Sequence, residues 1–241
     1  MIDLEYQARH SLTEYARARA CSLGGVGTGN VIRFHDHAFI VTAKHVADAF
    51  YELKRPRAIL RHNYKIPAEQ LEYISSTEDD LDIALIAVHD LDAQVVSYEH
   101  GDLDFIDDFQ TYNFDQVNLQ VCGFPKQLQH KTETDLFYSW MSYRTTPCSR
   151  PPATKDFLFC HYPMSSPVRE SSTGARAALP PANGLSGAFI LKVPTYADQF
   201  PLISAKVIAI QIAWDKKTYI KCSNIIYLRP MLDAATVTHD A

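Results

Sequence analysis

Apolar positions recur at helical spacing over residues 3–20, where Leu4, Ala8, Leu12, Tyr15 and Ala16 fall on one face and charges fill much of the rest. The spacing predicts a helix, stopped by the turn chemistry of Gly24, Gly25, Gly27 and Gly29. Short β-rich runs follow. Residues 30–34 (NVIRF) and 38–42 (AFIVT) flank His35-Asp36-His37 and predict a hairpin, two apolar runs around a polar turn. Residues 43–53 predict one or two helical turns, and residues 57–60, 71–75 and 83–88 predict further strands. Residues 89–117 are acidic, show little hydrophobic period and read as a crossover between two halves. A second strand series is predicted at residues 119–123, 135–143, 157–162, 188–191, 207–212 and 218–222. The Pro/Ser/Gly-rich residues 163–185 read as loop and residues 224–236 as a closing helix.

Many short strands separated by turn signals, with no βαβ alternation and no internal repeat, predict an all-β sandwich or barrel. A length of 241 residues suits one domain, or two small lobes sharing one site, and suffices for a core without disulfide staples. With 46% hydrophobic and 21% charged residues, disordered, collagenous and low-complexity classes are excluded. The net charge of −5 gives no basic surface for phosphates, so nucleic acid is not an expected partner. Asp3, Glu5, Arg9 and His10 interrupt any secretory-type apolar run near the start, and no segment has the length of a membrane helix. The five cysteines, Cys21, Cys122, Cys148, Cys160 and Cys222, are odd in number and form no close CxxC pair. A zinc framework is therefore not expected, and reduced thiols in a cytoplasmic protein fit best.

Three segments carry candidate chemistry: Ile40-Val41-Thr42-Ala43-Lys44-His45-Val46, Leu81-Asp82-Ile83-Ala84-Leu85-Ile86 and Asn183-Gly184-Leu185-Ser186-Gly187-Ala188. They resemble the histidine, aspartate and serine segments of the chymotrypsin/trypsin-like serine protease superfamily, in that superfamily's own order. Gly27-Thr28-Gly29 before a strand resembles the Gly-Thr-Gly opening of its bacterial intracellular or glutamyl-endopeptidase-like branches. Cys122-Gly123-Phe124-Pro125 resembles the Gly-Tyr-Pro that opens the second barrel, and residues 207–210 resemble the strand lining the substrate cleft. The likeness runs from about residue 22 to 235, nearly the whole chain. Asp79 and Asp80 compete with Asp82 for the acid, but Asp82 alone stands in the Asp-Ile-Ala-Leu context.

The resemblance implies two antiparallel six-stranded β-barrels with the site in the cleft between them. Residues 1–21 become an N-terminal helical extension and residues 22–105 a first barrel with His45 and Asp82. Residues 106–117 become an acidic crossover, and residues 118–241 a second barrel with Ser186 plus a C-terminal helix. The implied activity is a serine endopeptidase acting through an acyl-enzyme. A serine hydroxyl needs a base, here His45, which Asp82 orients and whose cation it stabilises. The backbone amides of Gly184 and Ser186 would form the oxyanion hole. Activity is expected to fall at acidic pH, because the neutral imidazole is the base. No metal or organic cofactor is expected: His35-Asp36-His37 has metal-ligating side chains but lies in a predicted turn without further ligands nearby.

Several positions depart from the trypsin pattern. Leu185 stands where trypsin has the aspartate that pairs with a freed N-terminal amine, which disfavours activation by simple propeptide cleavage. Gly187-Ala188-Phe189 replaces Gly-Gly-Pro, and Pro180-Pro181 lies where trypsin has its pocket-floor acid. Pro180, Ile212, Ala213 and Trp214 are the expected substrate-pocket residues, and their bulk suggests a small or modest apolar P1 side chain, the one beside the attacked carbonyl. The expected partners are a protein or peptide substrate and, because unrestrained proteolysis would harm the host, an activating protein; neither nucleic acid nor membrane is expected. The 3–20 helix is expected to pack on a barrel or to serve as a regulatory contact. Two competing readings are a catalytically silent protease fold used for binding or scaffolding, and an esterase using the same residues.

Overall fold

The computed structural model describes residues 12–54, 56–60, 64–115, 117–131, 136–164, 168–169, 176–193 and 205–239. A helix over residues 12–19 (α1) leads directly into strand β1, Ala20–Leu23. Then come β2 (Gly27–Phe34), β3 (His37–Ala43), α2 (Lys44–Tyr51), β4 (Arg57–Ile59), β5 (Lys65–Pro67), β6 (Leu71–Ser76), β7 (Ile83–Val88) and β8 (Tyr98–Glu99). The first sheet has the order β5-β4-β1-β2-β3-β7-β6, and β8 joins β2 in parallel. The second half contains β9 (Asn118–Gly123), β10 (Gln129–Lys131), β11 (Leu136–Tyr138), β12 (Met141–Thr145) and β13 (Phe157–His161). It continues with β14 (Val168–Arg169), β15 (Arg176–Ala177), β16 (Phe189–Val193), β17 (Lys206–Trp214), β18 (Tyr219–Asn224) and α3 (Leu228–His239). Its main sheet is antiparallel, with the order β12-β9-β16-β17-β18-β13.

These are two curled, mostly antiparallel sheets with few helices, the double-barrel architecture expected from the sequence. Every residue of β7 is buried, as are all of β3 after His37. Such strands read as unbroken apolar runs because both faces are covered. One core cluster fills the first sheet and draws in Val46, Ala47 and Phe50 of α2 with Leu228, Leu232 and Ala235 of α3. The C-terminal helix thus returns to pack on the first sheet. Phe189, Ile210 and Ile212 belong to the same cluster, so strands of the second sheet help to fill the seam. A second cluster, with Leu119, Leu158, Leu185 and Ile208, lies within the other half.

The local predictions differ in instructive places. The helix predicted over 3–20 ends at residue 19, because Ala20–Leu23 is fully buried and pairs with β2 on one side and β4 on the other. Residues 1–11 of that prediction lie outside the described residues. The hairpin forms with a two-residue turn, His35-Asp36, and His37 already pairs with Phe34. His35 takes a φ of 53°, the left-handed backbone that such tight hairpins require. Among the described residues the first sheet has eight strands; β5 and β8 are too short to give a periodic signal in the sequence. The predicted strand over 135–143 is two strands, and the predicted loop over 163–185 contains the small β14–β15 ladder. Among the described residues no helix is long and apolar enough to cross a membrane.

All five cysteines are free and buried. Burial pushes the Cys21 thiol up to about 12 and those of Cys122 and Cys148 up to about 11. The thiolate is the reactive species. Native protein at pH 8 should therefore leave Ellman's reagent almost unreacted, whereas the urea-unfolded chain should release five equivalents.

Candidate active site

Helix α2 begins without a side-chain cap of its own, since Ala43 occupies the N-cap position. Asp82 supplies the missing acceptors from across the sheet. Strands β3 and β7 pair with Ala43 opposite Ile83, which brings the start of α2 beside Asp82. The Lys44 N–H donates to the Asp82 carbonyl at 3.0 Å, and the His45 N–H donates to Asp82 Oδ1 at 2.9 Å. A carboxylate is favoured there by the unpaired amides and dipole of the helix start. The other carboxylate oxygen, Oδ2, lies 2.6 Å from His45 Nδ1. An ionised carboxylate only accepts, so Nδ1 carries the hydrogen, and in the neutral imidazole the lone pair is then on Nε2. The His45 side chain is 52% exposed while that of Asp82 is 15% exposed, so the carboxylate is shielded and the imidazole is accessible.

Asp82 has a φ of 54°, a left-handed conformation that aspartate tolerates better than most residues. The turn before it is closed by Leu81 and Asp82 amides donating to the Glu78 carbonyl, both at 3.1 Å. The Ser223 hydroxyl of β18 donates to the Leu81 carbonyl, so the second sheet steadies the loop that carries the acid.

Ser186 sits in the turn before β16, and that turn is tied to β2 of the first sheet. The Thr28 N–H donates to the Ser186 carbonyl at 2.9 Å, the Thr28 hydroxyl to the Gly184 carbonyl at 2.8 Å, and the Asn30 side-chain amide to the Gly187 carbonyl at 2.7 Å. The Phe124 N–H in turn donates to the Thr28 hydroxyl at 3.0 Å. Gly187 has a φ of +90°, and a Cβ there would fall 1.9 Å from the Thr28 carbonyl oxygen, so only glycine fits. Gly27 is wedged between the two halves of the site. A Cβ on it would lie 2.5 Å from Val46, the residue after His45, and 3.0 Å from the Ser186 carbonyl oxygen. The serine turn and the histidine segment therefore approach to the thickness of one glycine.

Amides in the serine turn divide into used and unused. Leu185 N–H donates to Ala182 O, Gly187 N–H to Gln211 O and Ala188 N–H to Leu185 O. The amides of Gly184 and Ser186 have no acceptor among the described residues, and neither does the Ser186 hydroxyl. Leu185, in the position where trypsin carries an ion-paired acid, is fully buried in the second core, so apolar packing anchors this turn. Of the expected pocket residues, Pro180 accepts the Tyr162 hydroxyl at 2.7 Å on its carbonyl. Ile212 is buried in the first cluster, Ala213 is exposed, and Trp214 packs against the second cluster. Strand β16 last pairs with β17 at Ile210, so β17 runs on past the serine turn with Ile212–Trp214 unpaired on that side among the described residues. The Gly27-Thr28-Gly29 motif marks the place of this tie in the sequence, but not its partners in the serine turn.

A polar concavity of about 250 Å³, lined by residues including Arg33, Asp36, His37, His89 and Asp90, lies at the far end of β3 from His45. It takes no part in this arrangement. Among the described residues no cluster of three or more His, Cys, Asp or Glu could hold a metal ion.

No protein-family model matches the chain, and no curated protein matches it in sequence. Among solved structures it is similar to HBP, with 12% identity, a TM-score of 0.55 and 91% of each chain covered. It is also similar to neuropsin, described as a serine protease expressed in the limbic system of mouse brain, with 10% identity and a TM-score of 0.54. That likeness covers 92% of this chain and 96% of neuropsin. The fold is thus the chymotrypsin-like double barrel, the fold in which serine proteases such as neuropsin are built.

Two outcomes follow. Replacing Thr28 with Val removes the hydroxyl that donates to the Gly184 carbonyl and accepts from the Phe124 N–H. Stability to urea should fall by about 1–3 kcal/mol, the cost of losing a buried hydrogen-bond donor. Asp215, just after Trp214, is pushed up by burial, but the amides of Tyr219, Thr218 and Lys217 and the Thr218 hydroxyl outweigh this and hold its carboxyl at about 2. A lowered carboxyl contributes stability above the unfolded-state value and loses it as pH falls through the folded one. The stability difference between wild type and Asp215→Ala should be constant above about pH 5 and shrink towards pH 2 in chemical-denaturation curves.

Proposed function

We propose that the chain is a serine endopeptidase that cleaves peptide bonds through an acyl-enzyme, with His45, Asp82 and Ser186 as its catalytic residues. The observation that carries this reading is the Asp82 carboxylate on His45 Nδ1 at 2.6 Å, which leaves Nε2 of a solvent-accessible imidazole as the free base. The approach of the serine turn to the histidine segment across Gly27 supports it, as do the two amides without acceptors.

In the proposed reaction, Ser186 Oγ bonds to the carbonyl carbon of the substrate and its proton passes to His45 Nε2. Asp82 stabilises the resulting imidazolium without taking the proton. The tetrahedral oxyanion is received by the N–H groups of Gly184 and Ser186. Collapse breaks the carbon–nitrogen bond as His45 returns the proton to the leaving amine. Water, deprotonated by the same imidazole, then bonds to the acyl carbon; the bond to Ser186 Oγ breaks, and the imidazolium returns the proton to Oγ. An extended peptide would lie along the open side of Ile212–Trp214, adding a strand beside β17. Hydrogen bonds between Ser186 and its base are often formed only in the substrate complex.

The finer reading keeps a cytoplasmic setting, consistent with free, buried thiols. It also keeps the placement in a bacterial-type branch, an activating protein partner and the absence of nucleic-acid and membrane partners. The division into a 22–105 lobe with His45 and Asp82 and a 118–241 lobe with Ser186 belongs to the same reading.

The test is hydrolysis of a mixed peptide library with matched amide and ester reporters. Ser186→Ala should lower amide turnover by about 10⁶-fold, His45→Ala by a similar factor and Asp82→Asn by about 10⁴-fold. Wild-type activity should decline at acidic pH. Ester cleavage without any amide cleavage would point to an acyl hydrolase, and no turnover of either would leave a silent binding fold.

A further inference from the structure

Gln211 lies against the serine turn. Its carbonyl accepts the Gly187 N–H at 2.8 Å, and its own N–H donates to the Ala188 carbonyl at 2.8 Å. The residue is fully buried. Its neighbours Ile210 and Ile212 belong to the first-sheet cluster, whereas Ala209 belongs to the second. Cys222 of β18 stands opposite Gln211 in register. The Gln211 Nε2 donates to the Ala213 carbonyl at 2.9 Å, spanning the bulge between Gln211 and Ala213. That bond fixes the orientation of the carboxamide, leaving Oε1 as a pure acceptor, and Oε1 is buried with no hydrogen-bond partner among the described residues.

A buried carboxamide oxygen without a donor is costly, and an apolar side chain of similar size would avoid the cost. The orphan acceptor also has a telling location. Its amide nitrogen holds the backbone of Ala213, an exposed residue on the open stretch of β17, so the carboxamide lies just beneath the edge along which a peptide would be laid. Resting on the peptidase reading above, we propose that Gln211 Oε1 is a specificity determinant that accepts a hydrogen bond from the P1 side chain of the substrate. The substrate class is then a neutral P1 residue bearing an N–H or O–H donor: Thr, Ser, Asn or Gln. Apolar isosteres leave the oxygen unpaired, and a Lys or Arg would bury a charge against one neutral acceptor. This substrate class differs from the small or modest apolar P1 side chain that the bulk of Pro180, Ile212, Ala213 and Trp214 suggests.

The test uses peptidyl phosphonate inhibitors identical except at P1, paired as Thr against Val and Gln against Met. Inactivation rates are divided by the rate of the same protein with a simple alkyl fluorophosphonate, which has no P1 side chain. Wild type should favour the donor-bearing member of each pair by about tenfold or more, the scale of one well-made hydrogen bond. Gln211→Met should bring both ratios to near one, and Gln211→Glu should shift preference towards a Lys P1 probe. Gln211→Met should also be no less stable than wild type in urea, because it removes an unpaired buried acceptor. Fluorophosphonate labelling with equal rates within each pair would overturn the specificity role alone, as would a preference that survives in Gln211→Met. A marked loss of stability in Gln211→Met would show that the oxygen is satisfied within the fold and would overturn it too. No labelling by either reagent type would overturn the peptidase reading together with the proposal.

Discussion

The arrangement depends on a tie of four hydrogen bonds centred on Thr28. Through its N–H and hydroxyl, and with the help of Asn30, the first sheet grips the carbonyls of Gly184, Ser186 and Gly187 on the second. The Phe124 amide closes the set by donating to the same hydroxyl. Thr28 and Asn30 are buried, so their polar groups would be penalised if left unpaired, which favours one docking register for the two halves. With those carbonyls committed to the first sheet, the turn leaves the Gly184 and Ser186 amides without acceptors among the described residues. The constraint that joins the halves is also the one that shapes the serine turn.

Asp82 plays a comparable double part within the first half. Its backbone carbonyl and one carboxylate oxygen complete the uncapped start of α2, and its second oxygen sets the tautomer of His45. Moving this acid would unravel a helix end and disorient the imidazole together. Ser223 reaches from the second sheet to the Leu81 carbonyl, so the acid's loop is held by both halves as well. Local structure, inter-sheet docking and candidate chemistry thus draw on the same few groups. Leu185 extends that logic: where an ion pair is absent, a buried apolar side chain anchors the turn.

Much of this was legible because the relevant signals are local. Strand β7 is six consecutive apolar residues, and an aspartate immediately before such a run is conspicuous. Glycines around Ser186 similarly announce a tight turn. The Thr28 tie was not legible, since its hydroxyl and the Gly184 carbonyl are 156 residues apart and any hydroxyl in a strand looks alike. Helix α1 was overextended because Ala20–Leu23 carries no β-branched residue, and only pairing on both sides makes it a strand. The two-residue β8 has no period to detect. Gln211 is fully buried, and one amide within an otherwise apolar strand carries no local signal of that.

The central claim is that the fold brings Ser186 into the reach of the His45–Asp82 pair and so activates its hydroxyl. The most direct measurement is intact-mass analysis after incubation with a fluorophosphonate, followed by peptide mapping of the adduct. The account predicts a single adduct on Ser186, formed by wild type and absent from His45→Ala at matched times. An unmodified Ser186 in folded wild-type protein, or an adduct that forms equally well without His45, would contradict it.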